Sequence, residues 1–265
     1  MIQTANIDRF TGFAALYDHY RPAPPELLAT ILTQYAQVKI PELVVDLGCG
    51  TGLSTRYWAD KAQHVIGIEP NEDMRLQAQT NTPQSNIAYH PGFSNATGLE
   101  DGCAQIVICS QSLHWMDPQP TFEEIRRILQ PGGIFAAIDY DWPPTTPRWE
   151  ADAAYIACIR LVNEIVKNKT DSSLVRYEKN QHLARMKASG CFQFTKEIVL
   201  HHIDSGNAER LVGIALSQGG IQSLLKSGYS EEYIGIIRLR IVAEEVLGTQ
   251  PVPWVWSLRA RIGIT

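Results

Sequence analysis

Apolar residues recur along this chain with two different periods, and the change from one to the other divides it. Over the first 140 positions short apolar runs alternate with amphipathic stretches. Leu43-Val44-Val45, Val65-Ile66-Gly67-Ile68, Asn86-Ile87-Ala88-Tyr89, Ile106-Val107-Ile108-Cys109 and Ile134-Phe135-Ala136-Ala137-Ile138 give five predicted strands. Before the fifth, residues 121–129 place Phe122, Ile125, Ile128 and Leu129 on one helical face and turn Glu123, Glu124, Arg126 and Arg127 outward. Pro131-Gly132-Gly133 then stops that helix and starts the strand. Strand and helix in alternation build a parallel sheet covered on both faces.

Beyond about residue 142 the pattern turns helical. Trp142-Pro143-Pro144-Thr145-Thr146-Pro147 is too proline-rich for helix or central strand. Ala151, Ala154, Tyr155, Cys158, Ile159, Val162, Ile165 and Val166 then repeat at helical spacing. A second helix is expected over 180–188, ending near Gly190, and a mainly helical stretch over 207–247, whose last part, 231–247, ends at Gly248. Residues 194–203 and 252–262 read as strands, with Trp254, Trp256 and Leu258 alternating onto one face. The expected fold is α/β: a doubly wound, mostly parallel seven-stranded sheet, helices on both faces, and a helical cap inserted in the C-terminal half. The chain reads as one domain, 1–265, with an N-terminal helical cap (1–42), a ligand-binding core (43–142), helical cap regions (150–190 and 207–247) and final strands (191–205 and 250–265).

Composition narrows the partners. At 45% hydrophobic and 19% charged the chain can fill a core, and a net charge of −5 disfavours a nucleic-acid footprint. No signal-peptide pattern opens it, and no apolar stretch nears the roughly 18 residues of a membrane span. Five cysteines without CxxC spacing read as reduced thiols of a cytoplasmic protein, and seven histidines offer no metal spacing. A monomer or homodimer without metal is expected. Trp142, Trp149, Trp254 and Trp256 read as core or pocket walls, Arg238 and Arg240 as solvated charges.

Candidate chemistry concentrates in Asp46-Leu47-Gly48-Cys49-Gly50-Thr51-Gly52, between a predicted strand and a predicted helix. Glycines there permit positive φ and let a ligand approach the backbone. Helix amides would point into the turn, which suits a nucleotide-like ligand at the carboxyl edge of a parallel sheet. A dinucleotide fingerprint needs its third glycine at position 53, which is Leu53; here it stands at Gly52. Glu69 closes the second strand, 21 positions after Gly48, where a carboxylate can accept both hydroxyls of a ribose.

This acid-plus-GxGxG pattern resembles the Rossmann-like class I methyltransferases that use S-adenosylmethionine. Gln111-Ser112-Leu113-His114-Trp115, Leu129-Gln130-Pro131-Gly132-Gly133 and Tyr17-Asp18-His19-Tyr20-Arg21-Pro22 are similar to segments of small-molecule enzymes related to the ubiquinone/menaquinone and trans-aconitate methyltransferases. The likeness spans roughly residues 13–140. It implies S-adenosylmethionine as cofactor, S-adenosylhomocysteine as product, and a small-molecule acceptor. It implies that Asp46 holds the methionine portion, that Gly48, Cys49 and Gly50 line the cofactor, and that Glu69, Pro70 and Asn71 border ribose and adenine. Ser94, Asn95 and Ala96 would flank adenine, with Asn95 where relatives often carry an acid. Ser110 and Gln111 would lie beneath the methionine portion, while Tyr17 and Arg21 close over it, Arg21 pairing with its carboxylate.

Several positions keep two readings. His114 is either a general base at the carboxyl edge or a packing partner of Trp115, and Tyr140 is a second candidate base. Tyr17 and Tyr20 are either site residues or core aromatics of a first helix, and Arg21 either a cofactor contact or a surface residue. For the whole chain, a non-catalytic S-adenosylmethionine binder and an NAD-dependent oxidoreductase stand beside methyl transfer, the last weakened by Leu53.

Overall fold

The computed structural model describes residues 14–169 and 175–265. Helices α1 (Ala14–Tyr20) and α2 (Glu26–Tyr35) precede β1 (Leu43–Leu47), α3 (Leu53–Tyr57), β2 (His64–Ile68), α4 (Glu72–Thr80), β3 (Ile87–His90) and β4 (Ala104–Ser110). A 3-10 turn, Leu113–Trp115, leads to α5 (Pro118–Ile128) and β5 (Leu129–Tyr140). Then come α6 (Trp149–Lys169), α7 (His182–Ala188), β6 (Phe194–Gly206), α8 (Ala208–Leu216), α9 (Gly219–Lys226), α10 (Ile236–Val246) and β7 (Val252–Ile264).

The strands form one seven-stranded sheet in the order β3-β2-β1-β4-β5-β7-β6. The β1–β2, β2–β3, β1–β4 and β4–β5 pairs are parallel, whereas β7 runs antiparallel to β5 from Ile134↔Ile264 to Tyr140↔Leu258. The order reverses at β1, so a crevice opens where β1 and β4 diverge into their following helices, the place at which such sheets bind ligands. The expected α/β fold with its mostly parallel seven-stranded sheet is what the chain forms.

The chain divides into two compact units. One comprises Ala23–Tyr140, Val175–Leu200 and Leu258–Thr265. Its core on one sheet face joins Val45, Leu47, Val107, Cys109, Phe135 and Ala137 to Phe122, Ile125 and Ile128 of α5 and Met186 of α7. Phe122, Phe135 and Phe192 stack and abut with centroids 5.7–6.0 Å apart. Burying each such ring contributes about 1.5–3 kcal/mol. Tyr57 ties α2 down by donating to Pro25 O (2.8 Å) and accepting from Ala29 N (3.0 Å). Among the described residues the other unit comprises 14–22, 141–169 and 201–257, and α10 packs there against α6 and α8. Trp254 and Trp256 are fully buried on one face of β7, as their alternation predicts.

Four local expectations are corrected. Glu124 does not face outward: it is 9% exposed, because α5 buries the row Thr121, Glu124, Ile128 as well as Phe122 and Ile125. Trp149 is 73% exposed at the start of α6, neither core nor wall. The last cap helix begins at Ile236 rather than 231, since Gly235 takes φ +83° and breaks the helical run. Arg240 is paired with Glu231 at 3.1 Å rather than simply solvated. Among the described residues no helix is long and apolar enough to cross a membrane, and no cluster of metal-ligating side chains occurs.

Candidate functional site

The glycine turn lies between β1 and α3, with Gly48, Gly50 and Gly52 all at positive φ (+65°, +56° and +81°). Gly52 has a steric reason as well: a Cβ there would sit 2.2 Å from the Tyr89 hydroxyl. At Gly50 a Cβ would have nothing within 4 Å, so the turn is open on that side.

The turn's amides do not face outward as an anion cradle. Gly48 N and Cys49 N both donate to Ile68 O (2.8 and 3.2 Å), and Gly52 N donates to Cys49 O (3.0 Å). Gly50 N donates to Glu69 Oε2 at 2.9 Å. The helix that follows has only five residues, too short to aim a strong dipole. A pyrophosphate needs such donors; here four of them are engaged within the protein.

What the turn offers instead is acid. Glu69 is buried, its Oε1 accepting from Asn71 N at 2.8 Å and its Oε2 from Gly50 N. Burial raises its pKa, against the pull of the two amide hydrogen bonds. A carboxylate has about four lone-pair sites, so each oxygen keeps one for a further donor. Asp46 is fully buried behind it, accepting at Oδ2 from Ser54 Oγ (2.6 Å) and Thr55 Oγ1 (2.8 Å). Its Oδ1 has no donor among the described residues. Burial pushes the Asp46 carboxyl up to about 6, opposed by those two hydroxyls. Cys49 is buried, and burial together with the charge of Asp46 and Glu69 raises its thiol well above the usual range.

Around this centre the other candidates have specific local duties. Asn71 caps α4 by accepting from Met74 N at 2.9 Å, which fixes Pro70-Asn71 beside Glu69. In the loop after β3, Phe93 and Ala96 form a bridge, Ser94 Oγ meets Thr121 Oγ1 at 2.8 Å, and Asn95 and Ala96 are exposed. That loop is pinned by Glu124, whose Oε1 accepts from Thr97 N (2.8 Å) and Thr97 Oγ1 (2.6 Å). Arg127 braces the same carboxylate at 2.7 and 2.8 Å, holding it down at about 2. Ser110 ends β4, and Gln111 after it stands at φ +56°. His114 is buried with its ring 4.7 Å from that of Trp115. Tyr140 donates its hydroxyl to Ala23 O at 2.7 Å, so its proton ties two backbone segments together.

Asp46, Gly48, Cys49, Gly50, Glu69, Pro70, Asn71, Ser94, Asn95, Ala96, Ser110, Gln111 and His114 all belong to one compact unit. Tyr17 and Arg21 belong to the other. There Arg21 donates from Nε and Nη2 to Ser217 (2.8 and 3.0 Å) and lies over the Tyr17 and Trp142 rings at 4.6 and 4.5 Å. It is no plain surface residue. Sequence reasoning missed Glu124 and Lys179, the latter 2.6 Å from Gln111 Oε1. Glu124 lies on a segment read only for helical periodicity, and Lys179 just ahead of the helix expected over 180–188.

Residues 45–137 match the family described as a methyltransferase domain. Over those residues the chain is similar to that family. The chain is similar to an uncharacterized methyltransferase of Mycobacterium tuberculosis, 26% identical over 163 residues, which is 61% of this chain and 60% of that protein. It is also similar to a protein of Saccharomyces cerevisiae given as a probable S-adenosylmethionine-dependent methyltransferase, 29% identical over 49% of this chain and 46% of that one. The chain thus spans 60% or less of the length of these relatives. A solved structure from Anaeromyxobacter dehalogenans, provisionally named a type II methyltransferase by its solvers, superposes with a TM-score of 0.64 at 21% identity, covering 92% of this chain and 98% of its own. That likeness carries the fold. The resemblance to Rossmann-like methyltransferases drawn from the glycine turn is borne out for this domain.

Proposed function

We propose that the chain, 1–265, is a cytoplasmic enzyme that transfers a methyl group from S-adenosylmethionine to a small-molecule acceptor, at an oxygen or carbon atom. A carboxylate is among the candidate acceptors, as in the trans-aconitate enzymes that the sequence resembles. One observation carries this reading: the Glu69 carboxylate, held by the Gly50 and Asn71 amides, beside a turn whose own amides are engaged. Such a site suits a ribose diol and a cationic ligand, and it does not suit a pyrophosphate. The orphaned Asp46 Oδ1 fits the same donor, since it can accept from an ammonium.

Asp46, Gly48, Cys49, Gly50, Glu69, Pro70, Asn71, Ser110 and Gln111 would hold the cofactor, with Ser94, Asn95 and Ala96 toward adenine. When bound, S-adenosylmethionine supplies a methyl group already activated by the sulfonium. The residues of the chain then bind, align and exclude water for an in-line displacement, and alignment of this sort contributes about 7–11 kcal/mol. For an acceptor protonated in its ground state, His114 is the base carried forward. Tyr140 is not, since its hydroxyl is engaged by Ala23 O.

Calorimetric titration with S-adenosylmethionine, S-adenosylhomocysteine and NAD tests the reading. Heat with the two adenosyl ligands and none with NAD is expected; preference for NAD would sink it. A turnover screen of small carboxylates, phenols and amines, followed by S-adenosylhomocysteine release, separates an enzyme from a non-catalytic binder.

A further inference from the structure

The stretch 175–181 runs across the loop that follows β4. Tyr177 N donates to His114 O at 2.8 Å, the Arg176 guanidinium lies 5.6 Å over the Trp115 ring, and Lys179 Nζ donates to Gln111 Oε1 at 2.6 Å. Lys179 is itself anchored. It stands 2.8 Å from Asp139 Oδ1, while Asp139 Oδ2 takes Arg261 Nη1 at 2.8 Å and Arg261 Nε reaches Glu197 Oε2 at 2.8 Å. Asp139 and Arg261 are both buried, so the anchor is well set.

An ammonium only donates. The amide oxygen of Gln111 must therefore be the atom that faces Lys179, and the amide nitrogen must point away from it. Gln111 is also at φ +56°, a conformation that non-glycine residues keep where their surroundings over-determine it. Its Nε2 is buried and has no acceptor among the described residues. The loop that bears it is stitched to the glycine turn, since Ser112 Oγ donates to Leu47 O at 2.7 Å. Asp46 Oδ1, on the strand beside β4, is likewise buried without a donor among the described residues. An orphaned donor and an orphaned acceptor thus stand at the ends of neighbouring strands.

We infer that Lys179 is a positioning residue, which turns the Gln111 amide so that Nε2 donates to the carboxylate of a zwitterionic amino-acid group, the methionine portion of the methyl donor. The inference rests on the methyltransferase reading above. A carboxylate accepts and never donates, which matches the free Gln111 amide nitrogen; an ammonium donates and never accepts, which matches Asp46 Oδ1. Lys179 does not touch the ligand in this arrangement. It acts through Gln111, with Asp139 and Arg261 as its support.

The test compares two ligands: S-adenosylhomocysteine, which has the amino-acid portion, and 5′-methylthioadenosine, which lacks it. Wild type, Lys179→Met, Lys179→Arg and Gln111→Ala are titrated with each. Lys179→Met and Gln111→Ala should each weaken S-adenosylhomocysteine about tenfold while 5′-methylthioadenosine stays within about twofold, and Lys179→Arg should recover most of the loss. Retained 5′-methylthioadenosine binding also reports a folded site; if Lys179→Met does not fold, the other two variants decide. Equal weakening of both ligands, or no weakening of either, overturns the positioning role. Wild type that binds neither compound overturns the methyltransferase reading itself.

Discussion

Glu69 Oε2 accepts the Gly50 amide at 2.9 Å, and this one hydrogen bond joins the end of β2 to the middle of the glycine turn. Because Oε1 accepts the Asn71 amide at 2.8 Å, both oxygens face N–H groups. A side-chain amide cannot satisfy both, since its NH2 would meet one donor head-on. Glu69→Gln is therefore expected to be as damaging as Glu69→Ala. Each should weaken S-adenosylmethionine binding by about 1–3 kcal/mol, the usual result of unpairing a charged acceptor. Calorimetry on the two variants checks this, and unchanged affinity in either would remove Glu69 from the site.

Gly50 and Gly52 share a conformation but not an environment. Alanine at Gly50 meets nothing within 4 Å, so only the positive φ opposes it, about 1–2 kcal/mol. Alanine at Gly52 adds a collision with the Tyr89 hydroxyl, for a total of about 2–5 kcal/mol. Thermal unfolding should rank Gly52→Ala well below Gly50→Ala. Ligand titration should reverse the contrast, because a methyl at Gly50 projects into open space beside Glu69. Equal losses of stability would contradict the packing at Tyr89.

Much of this was legible in the sequence, for a physical reason. Buried parallel strands have to be apolar runs, so all five strands of the first half could be found, and the position of Gly52 excluded a dinucleotide turn. The Asp46–Glu69 pairing of acids was visible through spacing alone. Glu124 was not, because an amphipathic pattern assigns charged residues to solvent. Its burial follows from Thr97, which lies 27 positions earlier and supplies two donors. The partners of the turn's own amides were not legible either. Glycine spacing shows that a tight turn is needed, but not that Ile68 O would take two of its N–H groups. Lys179 was invisible because its partners, Gln111 and Asp139, come from strand ends far away in sequence.

Asp46 is held in the fold at a stability cost. Its carboxyl is pushed up to about 6, against about 3.9 for an exposed aspartate. Between those values the unfolded chain loses the proton first while the folded chain keeps it. Stability from this group is thus full below about pH 4 and falls as pH rises through about 6, by about 3 kcal/mol. Asp46→Asn removes that slope. The asparagine oxygen, in the place of Asp46 Oδ2, can still accept from Ser54 and Thr55, and its NH2 replaces the oxygen that has no donor. The variant should be about 1–3 kcal/mol more stable than wild type at pH 8 and bind S-adenosylmethionine more weakly. Denaturant unfolding of the ligand-free protein at pH 5 and pH 8 checks the sign, and a variant less stable at pH 8 would refute it.

His182 tilts the same pH range in the opposite direction. It opens α7 at 1% exposure, and neither ring nitrogen has a partner among the described residues. Burial holds its imidazole down at about 4; Asp139 favours the charged form, while Arg261, Arg185 and Lys179 oppose it. An exposed histidine titrates near 6.5, so on acidification the unfolded chain takes up a proton that the folded chain refuses. Stability is then lost as pH falls from about 6.5 to about 4, by about 3 kcal/mol. In wild type this loss is masked over pH 4–6 by the gain at Asp46. His182→Leu replaces an unpartnered polar ring with an apolar side chain, and should be about 1–2 kcal/mol more stable at pH 7. Its advantage should widen as pH falls to 4.5. Asp46→Asn, with the mask removed, should instead fall away in acid more steeply than wild type. Unfolding midpoints for wild type and both variants across pH 4.5–8 check the pair, and parallel curves for all three would show that neither group carries the assigned shift.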